Sequence, residues 1–503
     1  MTISTTPKKL TAKEATLGRR RAGVLAHITS LPGPLGNGDF SHDAYRFVEF
    51  CAASGFSIWQ VLPLNPTHAD GSPYFSLSAN AGNPLLISLD WLVDRGWLGG
   101  VDPSIGAADA PAYRQSSLRI AYKSFLVDVD AAWKKRYENF CAQNAAWLND
   151  YAAFTAFNAL HGGAAWTDWD SPLRDRRGAA YEQALVDHAD AMNQVRFEQF
   201  VFFAQWNDLR AYAHKNGVYL FGDLPIFVAH HSADVWSNRG LWQLDREGRP
   251  TVVAGVPPDY FSETGQVWGN PLYRWPAHRK EDFAWWLTRL KTQRQLFDLL
   301  RIDHFRGLEA CWEIQAGEIT AIDGQWVKTP GNELLVAVQE QLGDLPLVAE
   351  DLGEITPEVE ALRKQFAMPG MRVMQFGFGG GPDNLHLPHN FATDFVAYTG
   401  THDNAVTLEW YEALTAAEKD EVARYLPSSR VDMPDAMIEA VYASVARLAV
   451  IPMQDVLSLG AGNRMNTPGT MGEENWRWRF QWPQLTDERK ADLKELARIY
   501  NRL

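Results

Sequence analysis

The sequence predicts an α/β fold, a (β/α)8 TIM barrel with large helical and loop insertions around its C-terminal face. Three observations predict it. Eight short apolar runs, bounded by Gly, Pro or Asn, recur along the 503 residues. Helical text separates many of them, as the crossovers between parallel strands require. The runs begin apolar and end polar, as buried parallel strands do where they open onto a barrel mouth.

In chain order the candidate strands are "AGVLAHITSL" (22–31), "FSIWQVLPLN" (56–65), "VYLFGDLPIFV" (218–228) and "LLRIDHFRGL" (299–308). Then come "LPLVAEDLG" (345–353), "GMRVMQFGF" (370–378), "DFVAYTGTHDN" (394–404) and "LAVIPMQDVLSL" (448–459). An open doubly wound sheet is the alternative, but no GxGxxG or P-loop marks a nucleotide crevice. Residues 1–20 read as a polar lead-in and 21–503 as one barrel body. Two connections exceed simple βα loops and read as excursions at the barrel mouth. Residues 66–217 carry a Ser/Asn/Gly-rich loop followed by helical text. Residues 229–298 carry the Gly/Pro/aromatic segment "VAGVPPDYFSETGQVWGNPLYRW".

Composition narrows the function classes. No apolar run of 18 or more residues is present, which argues against a membrane partner. The N-terminus is basic but lacks an apolar h-region, so it does not read as a secretory signal. Cys51, Cys141 and Cys311 have no metal-type spacing and suit a reducing, cytoplasmic setting. The net charge of −14 and the absence of a Lys/Arg stripe argue against a nucleic-acid partner. Most of the 20 tryptophans are expected in the core. Those beside Asn, Gly or Pro, as in "VWGNPLYRW" and "EENWRWRFQW", have flat faces suited to sugar rings.

Carboxylates cluster at the polar strand ends. In "RIDHFRG" the strand period puts Arg301 and Asp303 on one face. The guanidinium is expected to lower the pKa of Asp303 and keep it ionised, as a nucleophile needs, although a structural ion pair explains the same pattern. In "LVAEDLG", Glu350 and Asp351 point to opposite faces. One can look into the mouth, with its pKa raised for general-acid work, while the other caps a turn; the bland reading is two solvated loop acids. "YTGTHDN" supplies His402 and Asp403, an arrangement found in metal sites, proton shuttles and plain hydrogen-bonded turns; without a second histidine at ligand spacing, a metal is the weakest of the three readings. Asp223 ends another candidate strand. In a barrel these ends meet on one face, and two acids there can share glycosidic-bond chemistry as nucleophile and acid/base.

These residues sit in ordered blocks that resemble the 4-alpha-glucanotransferases, the amylomaltases or disproportionating enzymes of glycoside hydrolase family 77. The blocks are "HITSLPGPLGNGDF", "QVLPLNPT", "SPYFSLSANAGNP", "GDLPIFVAHHSADVW", "VPPDYFSETGQVWGNPLY", "RIDHFRG", "VAEDLG", "YTGTHDN" and "RMNTPGT" followed by "NWRWR". They run from about Gly23 to Arg479. The resemblance implies a retaining transfer with Asp303 as nucleophile, Glu350 as acid/base and Asp403 as a third carboxylate gripping the sugar. It implies that Arg301 and His402 hold the nucleophile and that sugar. It places Ser72, Tyr74, Asp223, Asp259, Trp268 and Asn475 along the glucan groove, with Tyr260 and Phe261 on a loop over the site. It implies no organic cofactor and no dependence on calcium. The implied partners are α-1,4-glucan donors and glucose or maltodextrin acceptors.

One block departs from the family pattern. At His68, Ala69 and Asp70 some relatives carry a tyrosine of a secondary glucan-contacting site, and its absence puts that contact in doubt. After residue 480 only helical text, "ADLKELARIYNRL", remains, so no C-terminal β-sandwich is expected. A maltodextrin hydrolase of the same fold, or a non-catalytic glucan-binding protein, would use many of the same residues.

Overall fold

The computed structural model describes residues 11–33, 35–258, 262–426, 432–470 and 472–503. The first three strands are β1 (Arg21–Leu25), β2 (Ile58–Gln60) and β3 (Tyr219–Pro225). Next come β4 (Val252–Val256), β5 (Gln266–Pro271), β6 (Leu299–Asp303), β7 (Ala310–Gln315), β8 (Gln325–Lys328) and β9 (Leu347–Ala349). The last three are β10 (Gly370–Val373), β11 (Phe395–Tyr398) and β12 (Leu448–Pro452).

Eight of them pair in the order β10-β11-β12-β1-β2-β3-β6-β9, every neighbour parallel. The ends of this sheet meet: Ala349 N–H donates to the Pro369 carbonyl at 2.8 Å, and Met371 N–H to Asp351 at 2.6 Å. The eight strands are the eight apolar runs. "RAGVL" and "LAVIP" are buried at every position, as strands covered on both faces must be. Gly222 in β3 has a packing reason: a Cβ there would lie 2.2 Å from the Phe297 ring. The helix Asp487–Ile499 closes the chain. Arg502, just past it, ties the opposite end of the barrel by donating to the carbonyls of Arg21, Tyr442, Ser444 and Ala446.

The segment between β2 and β3 is mostly helical and includes the helix Ala189–Lys215. Two glutamines on that helix hold an otherwise irregular loop. Gln199 exchanges hydrogen bonds with the backbone of Gly82 at 2.7 and 2.8 Å, and Gln205 with that of Ser88 at 2.8 and 3.0 Å. Both satisfy a buried N–H and C=O at once. The loop so anchored carries Ser72 and Tyr74 to the barrel mouth.

The remaining strands form an antiparallel sheet, β5-β4-β7-β8. Its β7 follows the single turn Phe305–Leu308 that ends β6. The sheet therefore stands beside the mouth and presents Trp268 of β5 to it. Among the described residues no helix is long and apolar enough to cross a membrane.

Candidate active site

β6 delivers Arg301 and Asp303 on one face, as the strand period requires. Arg301 lies opposite Asp223 in the β3–β6 register and donates to both of its oxygens, at 2.8 and 2.6 Å. Its other terminal nitrogen reaches Asp303 at 2.8 Å. Tyr74 completes the set by donating its hydroxyl to Asp223 at 2.7 Å. Asp223 is thus fully buried and used internally. Asp303 keeps 28% of its side-chain surface open, toward a cavity of about 360 Å³.

Glu350 follows β9 and lines the same cavity. Its two oxygens accept backbone N–H bonds from His304 at 2.7 Å and from Leu352 at 2.9 Å. His304 donates from a left-handed conformation, φ 51°, costly for a side-chain-bearing residue and held here by the turn after β6. Asp351 points away, accepting from Met371 and lying 3.5 and 3.6 Å from Arg363 and Arg372. The two adjacent acids divide between the mouth and the barrel wall.

Asp403 reaches the cavity from the loop after β11. One oxygen lies 3.2 Å from His402 Nε2, and the other accepts from Asn466 at 2.7 Å. The His402 ring stacks on Tyr74 with centroids 5.2 Å apart and an interplanar angle of 9°. Trp476 packs at 5.7 Å from Tyr74 and 6.0 Å from His402, and Trp268 stands edge-on to His304 at 4.9 Å. Both indoles line the cavity, as do Ser72, Phe227 and Pro468.

The charges do not behave as the strand pattern alone implied. Burial pushes Asp303 up to about 7; Arg301 opposes this, and the charges of Asp223, Glu350 and Asp403 add to it. Arg301 therefore does not lower Asp303 below the usual carboxylate range, because desolvation and like charge outweigh one shared guanidinium. Burial also raises Glu350 against Arg301 and its two backbone donors. The two acids titrate as a set. Arg301 touches Asp303 directly and acts on Glu350 through its charge. Asp403 is the opposite case. Burial would raise it, but His402, Asn466 and Arg301 together hold it down at about 2.

Asp303, Glu350, Asp403, Ser72, Tyr74 and Trp268 come together around one space, with Arg301, His402 and Asp223 behind it. Asn475 does not border that space. Its amide accepts from Thr467 N–H at 3.0 Å and donates to Thr470 at 3.1 Å, closing the loop that forms one wall. Asp259, Tyr260 and Phe261 lie outside the described residues. Sequence reasoning assigned no role to Asn466 or to the His304 amide. Asn466 stood in the quoted block "RMNTPGT", but its partner lies 63 positions away. His68 and Ala69 border a neighbouring cavity rather than this one.

The sequence pattern of glycoside hydrolase family 77, described as 4-alpha-glucanotransferase, matches residues 26–486. A 4-alpha-glucanotransferase of Thermus thermophilus is 47% identical over 497 residues, covering 96% of this chain and 99% of that one. The chloroplastic/amyloplastic enzyme of Solanum tuberosum is 43% identical, covering 96% and 87%. The amylomaltase of Streptococcus agalactiae, solved in complex with acarbose, superimposes with a TM-score of 0.91 at 39% identity, over 96% of this chain and all of that one. A match of this extent in both sequence and structure shows that the chain belongs to glycoside hydrolase family 77, the 4-alpha-glucanotransferases.

Proposed function

We propose that the protein moves a segment of an α-1,4-glucan to the 4-hydroxyl of glucose or of another maltodextrin, by double displacement on Asp303 and Glu350. The observation that carries this reading is the pairing of two raised carboxyls in one cavity, one of them wired to a guanidinium. In the first step an oxygen of Asp303 attacks the anomeric carbon and the glycosidic C–O bond breaks. Glu350 gives its proton to the departing 4-oxygen. In the second step Glu350, now ionised, takes the proton of the acceptor 4-hydroxyl. The new C–O bond forms and Asp303 is released. Asp403, ionised throughout the working pH range, accepts hydroxyls of the bound sugar.

Trp268 and Trp476 support transfer over hydrolysis. Each offers an apolar surface against which an acceptor sugar displaces water. Acarbose in the Streptococcus agalactiae structure supports a glucan-like occupant for the equivalent cleft. The three cysteines are unpaired, which supports a reducing, cytoplasmic location.

Incubation of the purified protein with maltotriose tests the reading. Glucose together with maltodextrins longer than the substrate is the expected product profile. Glucose and maltose without longer chains would make the protein a hydrolase. Binding without any turnover would make it a glucan-binding protein.

A further inference from the structure

Across Trp476 from the carboxylates lies a second cavity, about 660 Å³ in volume. Trp476 borders both spaces, and one loop divides them: Ser72 and Tyr74 face the first, Gly71 and Pro73 the second. The two are opposite in charge. Asp303, Glu350 and Asp403 line the first, with no arginine or lysine among the described residues. Arg114, Arg477 and Arg479 line the second together with His27 and His68, and no described carboxylate does. This basic lining stands in a chain of net charge −14.

The three arginines are not equivalent. Arg114 is satisfied within the protein by Asp39 at 2.9 Å and by the Ile87 carbonyl. The side chains of Arg477 and Arg479 have no ion pair and no hydrogen bond among the described residues. They are presented together. From Arg477 the chain alternates an exposed arginine, buried Trp478, an exposed arginine and buried Phe480. Trp478 donates to Asn463 at 3.1 Å, and Phe480 N–H to the Ser30 carbonyl at 3.1 Å. Residues two apart on such a run share a side. Two cations so held repel, and partial desolvation of the otherwise exposed Arg479, together with the charge of Arg477, lowers its pKa.

The same cavity gathers polar atoms that no described residue satisfies. His27 Nδ1, Thr29 Oγ1 and His68 Nε2 are all buried without a hydrogen-bond partner, and all three residues line it. His27 itself is only 8% exposed. Buried polar atoms are rarely left unpaired unless a ligand or water completes them.

We propose that this cavity binds a phosphate monoester carried on a glucosyl unit. Arg477 and Arg479 take the phosphate oxygens, since guanidinium forks match phosphate geometry and are the weakly hydrated cations suited to it. His27, Thr29 and His68 supply neutral partners for hydroxyls. A bare phosphate would fill only a small part of the space. The phosphate half of the inference stands on charge and geometry alone. The glucosyl half rests on the proposed glucan-transfer function, because a chain lying over the carboxylates shares the Trp476 wall.

Calorimetric titration of the full chain tests it. The probes are glucose, glucose 6-phosphate, a maltodextrin carrying 6-phosphate groups, and inorganic phosphate. Glucose 6-phosphate is expected to bind at least about tenfold more tightly than glucose. The double variant Arg477→Ala/Arg479→Ala should lose that advantage, and Arg477→Lys/Arg479→Lys should keep part of it. Turnover of unphosphorylated maltotriose should stay within about twofold of wild type in both variants. Tighter binding of the phosphorylated maltodextrin than of glucose 6-phosphate assigns the ligand to a chain substituent, and the reverse order assigns it to the free sugar phosphate. Inorganic phosphate binding as tightly as either would overturn the glucosyl half. No preference for phosphorylated sugar, or a preference that survives in the alanine variant, would overturn the whole proposal. A failure of the transferase reading would show in maltotriose turnover and leave these titrations unaffected.

Discussion

Asp223 and Asp303 lie on neighbouring strands and share one guanidinium, that of Arg301. Asp223 receives two bonds from it, at 2.8 and 2.6 Å, and a third from Tyr74 at 2.7 Å. Asp303 receives one, at 2.8 Å, and turns its remaining surface to the cavity. A contrast of direction separates Asp351, turned into the barrel wall among Met371, Arg363 and Arg372, from Glu350 beside it, which lines the cavity and accepts two backbone N–H bonds. The barrel mouth thus holds two kinds of acid. One kind is turned into the barrel and fixes geometry. The other borders the cavity, where lone pairs not taken by protein donors face the substrate. A carboxylate buried without a full set of partners is costly to ionise, and that cost is what places its proton within reach of neutral pH.

Removing the acids that border the cavity should have the largest effect. Asp303→Asn is expected to lower kcat on maltotriose by about 10⁴-fold or more while the glucan still binds. Glu350→Gln should cost about 10²- to 10⁴-fold, because it removes proton transfer but leaves the nucleophile. Steady-state kinetics with a parallel binding titration check both. Near-normal turnover in either variant removes that residue from its role.

Stability should respond in the opposite sense at the two aspartates. Asp223→Asn strips a buried charge pair and leaves Arg301 under-compensated, a change that costs about 3 kcal/mol or more. Asp303→Asn removes a group whose folded pKa of about 7 exceeds its unfolded value. Such a group contributes stability below its unfolded pKa, and loses it as pH rises through about 7. Melting temperatures measured from pH 4 to pH 9 should show Asp303→Asn gaining on wild type up to about pH 7 and levelling off above it. Asp223→Asn should melt lower than wild type at every pH. Equal shifts in the two variants would erase the distinction between the acid turned into the barrel and the acid that borders the cavity.

The pH dependence of the rate sharpens the contrast further. A raised Asp303 must lose its proton to attack, so kcat/KM should fall as pH drops below about 7. A raised Glu350 must hold its proton to act as an acid, so the rate should also fall on the alkaline side. In Glu350→Gln the alkaline limb should vanish from whatever rate remains. Asp403, held near 2, should add no limb above about pH 4.

The parts legible in the sequence share a physical property, local order. "RAGVL" and "LAVIP" announce buried parallel strands because every residue is covered, and "RID" announces a shared face because strand geometry has period two. The antiparallel sheet escaped notice. "QVWGNP" and "QWVK" are short and half-exposed, and the first is interrupted by Gly and Pro, so it read as loop. The supports of the site were invisible for a different reason. Gln199 holds Gly82 and Gln205 holds Ser88, each across 117 positions, and no local pattern marks a buried amide that serves distant backbone. The proton affinity of Asp303 was misjudged on the same ground: Arg301 is visible two residues away, while the burial that outweighs it comes from the whole fold.

Asn466 offers the smallest and most selective test. It donates to one oxygen of Asp403 at 2.7 Å, and its own N–H donates to the His402 carbonyl at 3.2 Å. Only the first of these bonds depends on the side chain. Asn466→Ala therefore leaves the loop tied to His402 but frees one Asp403 oxygen. Asp403 keeps His402 at 3.2 Å, so it should remain ionised at neutral pH with less constraint on its orientation. Losing one charge-assisted bond of this kind should lower kcat/KM by about tenfold and leave the melting temperature within about 2 °C of wild type. Asn466→Asp makes the complementary case. It puts a second negative charge against Asp403 and should raise its pKa, so that an acid limb absent from wild type appears as pH falls. If Asn466→Ala turns over maltotriose at the wild-type rate, then His402 alone suffices to aim Asp403.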